Sequence, residues 1–224
     1  MLIMYSSTLY DDIIFLKVGP LQTKFAIHRG LLTKLSAVFK KALQPKFKDQ
    51  TDDMVLEREG ETTVIILPKV EPEIFVRVNT WFYSSKLLTA GEDLRNLTWD
   101  HLIGVYLFSV RKQIARLHNE CIDTTISKTA EGGSFPNQDT VNALYKIDIQ
   151  APQLRKLLIK LFAVRCDLKH TILSNRAYHP TFMNWVVIEL YELQREGVKA
   201  KNIDMWEMRE DYYAYGHDNP IAVE

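Results

Sequence analysis

The side chains with the types and spacing to do chemistry are few. Six histidines (His28, His101, His118, His170, His179 and His217) are scattered through the chain. None has a partner at metal-ligand spacing, and His170 and His179 straddle a predicted turn with no acid or thiol beside them. Cys121 and Cys166 are the two cysteines, too few for a disulfide framework or a zinc site. Both fall in stretches with helical apolar spacing, so they read as buried free thiols, which suits a reducing compartment. The acid pairs Asp11-Asp12, Asp52-Asp53 and Glu92-Asp93 sit in predicted loops or at strand edges, where solvated turn chemistry explains them better than acid–base catalysis. No phosphate-binding glycine loop, nucleophile elbow, His-Glu-x-x-His or Cys-x-x-Cys occurs. The expectation is a chain without catalytic residues, metal or cofactor and without a small-molecule substrate.

Two constellations stand out. Asp12 opens a predicted strand and Arg29 closes the next, so a hairpin would bring acid and guanidinium together at the sheet edge. The residues alone favour a structural ion pair without a ligand there. The second is Phe47-Lys48-Asp49, in a loop just after Pro45. A large apolar side chain on a polar loop either tucks back onto the core or meets a partner, and the residues leave both readings open.

The elements that would position these residues follow from pattern. Ile13 to Val18 is a β-rich run, Gly19-Pro20 punctuates it, and Lys24 to Ile27 resumes it. Leu31, Leu32, Leu35, Val38, Phe39, Ala42 and Leu43 share one helical face, so one helix is expected from about Gly30 to Leu43. Val64-Ile65-Ile66-Leu67 reads as a third strand buried on both faces. Pro72 opens a helix to Tyr83. Thr98 caps another that uses Leu102, Tyr106, Ile114 and Leu117 and runs towards Ile126. Residues 129–138 (TAEGGSFPNQ) form the expected linker. From 139 to 216 the pattern is helical, with Pro152 and Pro180 at helix starts, and no internal repeat is present. A small sheet with flanking helices, three-stranded or larger, followed by an all-α extension is an α+β fold.

Composition sets the outer bounds. The chain has 224 residues, 46% of them hydrophobic and 25% charged, with 28 basic and 28 acidic side chains. A balanced charge gives no global field for nucleic acid or anionic membrane. The N-terminus lacks a basic n-region and a long apolar h-region, and no apolar run is long enough to span a membrane. Cytoplasm, nucleus or both are therefore the expected location.

Asp12 to Gly19, Phe25 to Arg29, Leu32 with Ser36 to Phe39, Thr63 to Leu67, Phe75 to Ser84 and Tyr106 to Asn119, in that order within residues 10–128, together resemble a BTB/POZ domain. Asp12-Ile13-Ile14-Phe15-Leu16-Lys17-Val18-Gly19 is similar to the family's opening strand, and Phe25-Ala26-Ile27-His28-Arg29 to its Phe-x-Val-His-Arg segment. Leu32 with Ser36-Ala37-Val38-Phe39 resembles its Leu…Ser-x-x-Phe helix. Thr63 to Leu67 fits its third strand, and Phe75 to Ser84 its Trp-Leu-Tyr-Thr helix. Tyr106 to Asn119 resembles the final helix pair of filamentous-fungal members, with Ser109-Val110 in place of the usual Ala-Asp. The helical region 139–216 is like the extension that follows the domain in many fungal proteins. The resemblance implies a protein–protein interaction module, a homo- or hetero-oligomerisation scaffold whose partner is itself or another BTB protein. It also implies that Asp12 and Arg29 form the family's charged pocket near the dimer interface. Phe47, Lys48 and Asp49 fall where cullin-3 adaptors carry a hydrophobic-x-Glu motif, with Asp for Glu, so a cullin-3 ubiquitin-ligase adaptor is one alternative. A partner-dependent transcriptional or chromatin scaffold is another. Eleven residues precede Asp12, fewer than the N-terminal helix and strand that many dimeric members exchange, so a dimer built by that exchange is not expected.

Overall fold

The computed structural model describes residues 10, 12–44, 53–59, 62–131, 134–146, 152–166, 177–199 and 202–214. Strands Ile13–Val18 (β1) and Thr23–His28 (β2) form the expected antiparallel hairpin, with Ile13 opposite His28 and Val18 opposite Thr23. Gly19 has φ +74, and a Cβ there would lie 3.1 Å from Pro72 Cδ and 3.2 Å from Val70 O. Both conformation and space thus call for glycine. Its amide donates to Leu67 O at 3.0 Å, tying the turn to Thr62–Leu67 (β4).

Strand β4 runs parallel to β1, and Val55–Glu59 (β3) pairs antiparallel with β4, giving the order β2-β1-β4-β3. The apolar run Val64 to Leu67 is buried throughout, as its composition predicts. Strand β3 is an addition to the expected set. Its sequence, VLERE, carries the charge of an edge strand and so reads as loop.

The expected helix from Gly30 to Leu43 is two: Arg29–Leu35 (α1) and Ala37–Ala42 (α2). Ser36, in an extended conformation, breaks it. Its hydroxyl accepts from Phe39 N at 3.1 Å and donates to Lys112 O at 2.5 Å, so one side chain caps α2 and fastens it to a distant turn. Pro72–Ser84 (α3) begins on its proline, as expected, and ends at Ser85 in the left-handed region.

The expected helix from Thr98 towards Ile126 is also two: Trp99–Arg111 (α4) and Ala115–Glu131 (α5). Thr98 caps the first, accepting from His101 N at 3.2 Å. Gln113 has φ +51, its amide donates to Val110 O at 3.2 Å, and Ile114 N donates to Ser109 O at 2.8 Å. These two bonds make a Schellman stop with glutamine where glycine is usual, and Ile114 buries itself behind it.

Gln138–Lys146 (α6), Pro152–Arg165 (α7) and Pro180–Arg195 (α8) complete the helices of the described residues. Helix α5 lies at the centre, touching α4, α7 and the 3-10 turn Arg209–Tyr212. Residues 129–131 of the expected linker complete α5, with Thr129 buried. Phe135 packs edge-on to Phe162 at 5.0 Å, and Thr140 Oγ1 donates to Asp100 at 2.6 Å. One hydrophobic core runs from Ile14 through Tyr106 and Leu157 to Tyr212. Among the described residues no helix is long and apolar enough to cross a membrane.

Candidate interaction surface

Alternation on β1 sends Ile14, Leu16 and Val18 into the core and leaves Ile13, Phe15 and Lys17 on the other face. Ile13 is 49% exposed and Phe15 44%. Phe15 lies opposite Ala26 on β2, also exposed, and opposite Val64 on β4. Lys17 reaches across the same face to Glu57 of β3, 3.9 Å away. The exposed apolar strip therefore lies over β1 and β2, while Val64 beside it on β4 is buried and the Lys17–Glu57 pair crosses towards β3.

Aromatic groups continue the strip at the Ile13 end. Tyr10 stands edge-on to His28, with ring centroids 5.1 Å apart. The Tyr83 hydroxyl pairs with Nδ1 of that imidazole at 2.9 Å and accepts the His28 amide N–H at 3.3 Å. The hydroxyl's single hydrogen and its lone pairs can serve both contacts together. Tyr83 comes from the last turn of α3, so the end of that helix is pinned to the end of β2. Both tyrosines are nearly half exposed.

Asp12 and Arg29 come together at this same end, as hairpin pairing requires. The Arg29 amide donates to Asp12 O at 2.7 Å, extending the ladder by one bond. Their side chains meet at 3.4 Å, with Asp12 68% exposed and Arg29 44%. The pair lies at the surface, where its attraction is weak. Arg29 also donates from its second terminal nitrogen to Leu43 O at 2.9 Å, closing the C-terminus of α2. Phe47, Lys48 and Asp49 lie outside the described residues; Leu43 is three residues before that segment's preceding lysine, Lys46.

The other reactive side chains are separated. His118 is buried against Tyr106, with centroids 4.6 Å apart, and donates from Nε2 to Tyr212 O at 3.3 Å. Burial holds its pKa below the ordinary histidine value, partly offset by that hydrogen bond. His179 stacks on Tyr145 at 5.0 Å. Cys121 is fully buried and burial pushes its thiol well up, while Cys166 is half-buried. Glu92 pairs with Arg77 at 2.8 Å, and Asp93 with Arg95 at 2.6 Å. The Arg95 guanidinium lowers the Asp93 pKa to about 2. Among the described residues no three His, Cys, Asp or Glu side chains are grouped to hold a metal ion.

Sequence reasoning singled out Asp12 and Arg29 but passed over Ile13, Phe15, Tyr10 and Tyr83. The available signal was the unbroken run Ile13-Ile14-Phe15-Leu16. A strand covered on one face alternates, so apolar residues at its outward positions too mark a second face with a use. No protein-family model matches the chain, and no curated protein matches it.

Proposed function

We propose that this chain is a protein–protein interaction module of the BTB/POZ type, acting through the outward face of β1 and its rim. The carrying observation is the exposure of Ile13 and Phe15 on one face of β1, with Tyr10, Tyr83 and the Asp12–Arg29 pair at the Ile13 end. Aromatic and arginine side chains around a small apolar centre are the groups that dominate interface energies. The element order adds support, because the hairpin, the helical pair, the parallel strand and the helix ending at Ser84 occupy the segments that carry the resemblance. Partners in this reading are proteins.

The test is affinity capture of the tagged full chain from cells, beside an Ile13→Ser/Phe15→Ser variant of unchanged melting temperature. The reading expects a stoichiometric partner with the wild type and its loss with the variant. Mass spectrometry then separates another copy of the chain, a second BTB protein and cullin-3. Equal capture by both forms would remove this face from the account.

A further inference from the structure

A concave surface lies along α5. Glu120, Thr124, Ser127 and Glu131 are spaced by four, three and four residues, so they share one face over about 16 Å of helix. With Asp123 they floor a groove of about 580 Å³. One wall is the segment after α3, including Lys86 and Leu88, and the other is Trp206 of the C-terminal segment.

The floor is rich in acceptors and has few free hydrogens. Thr124 Oγ1 donates to Glu120 O at 2.7 Å and Ser127 Oγ to Asp123 O at 3.1 Å, so both hydroxyls turn lone pairs outward. Asp123 Oδ1 accepts from Tyr213 at 2.6 Å, which fixes the carboxylate in place. Glu92, in the wall, is neutralised by Arg77. The lining then carries three carboxylates, Glu120, Asp123 and Glu131, against Lys86, with Arg209 next to that lining, bonded to the Tyr213 hydroxyl that holds Asp123. Burial raises the Glu120 pKa, and the Asp123 charge raises it further, against the opposing effects of a Leu87 backbone bond and Lys86. An incoming cation relieves that crowding.

The carboxylates are strung along the helix rather than gathered, and no three of the described ligand-type side chains are grouped for a metal. That layout suits a chain of spaced cations over a point ion. The walls are largely apolar, matching the methylene stems of lysine and arginine. Arg209 already sits 5.9 Å from the Trp206 ring centroid.

We propose that the α5 groove binds an extended basic peptide segment of a partner protein, with its lysine or arginine heads on Glu120, Asp123 and Glu131 and its stems against Trp206 and Leu88. This site does not rest on the reading of the β1 face.

The test is fluorescence anisotropy of the full chain with a labelled eight-residue peptide of alternating arginine and leucine. The proposal expects saturable binding that weakens with salt. A Glu120→Gln/Glu131→Gln variant of unchanged melting temperature should bind about tenfold more weakly. Lys86→Glu, a change at the exposed rim, should tighten binding about threefold or more. Ile13→Ser/Phe15→Ser should leave it unchanged. No saturation by millimolar protein, equal affinity in the carboxamide variant, or displacement by spermidine at the peptide's own concentration would each overturn the proposal.

Discussion

Arg29 donates to the carbonyl of Leu43 at 2.9 Å, joining the end of the β-hairpin to the end of α2 across fourteen residues. The same guanidinium faces Asp12 at a looser 3.4 Å, in the open. The bond to Leu43 is the structural one, and the contact with Asp12 is a surface pair.

The two contacts predict different costs. Asp12→Asn should change stability by about 0–1 kcal/mol, the range of an exposed pair. Arg29→Ala also leaves the α2 carbonyl without its donor and should cost about 1–2 kcal/mol. Urea unfolding of the two variants measures the difference. Equal losses would mean that the Leu43 bond contributes nothing.

His118 predicts the pH dependence of the C-terminal segment. Its folded pKa is depressed, so the unfolded chain binds a proton more readily. Its contribution is therefore complete above the unfolded value of about 6.5 and is lost as pH falls through the lower folded value. Unfolding at pH 7.5, 6.0 and 5.0 should show falling stability. His118→Gln, which keeps a donor for Tyr212 O, should flatten that slope. An unchanged slope would place the sensitivity elsewhere.

The shared core predicts that the sheet-bearing part does not stand alone. Helix α5 buries Leu117, Cys121 and Ile122, and the Tyr106 hydroxyl accepts from Leu154 N of α7 at 3.2 Å. The segment after α8 adds Met205 and Tyr212 to the core, with Ala214 N donating to Asn119 at 2.8 Å. A chain ending at Lys128 should therefore bind a hydrophobic dye and unfold without a cooperative transition. A sharp, native-like transition for that fragment would show two independent units.

Much of this was legible from pattern. The hairpin, the doubly buried β4 and the three proline-led helices follow from signals local to their own residues. What stayed hidden depends on partners distant in sequence. Ser36 breaks a helix whose apolar face runs on unbroken, because its hydroxyl has Lys112 O to bond. The stop at Gln113 carries no glycine to announce it. Strand β3 has the composition of a loop and is a strand because β4 is there to pair with. At the surface, the ends of the hairpin told where Asp12 and Arg29 would meet. The outward use of Ile13 and Phe15 required knowing which face of the sheet the helices cover.

The most direct test of the interaction surface is photo-crosslinking in cells, with a photoreactive amino acid at position 15 and, as a control, at the exposed Gln194 of α8. A discrete protein adduct is expected from position 15, removed by Ile13→Ser, and none from position 194. No adduct at position 15, or the same adducts from both positions, would contradict an interaction surface there.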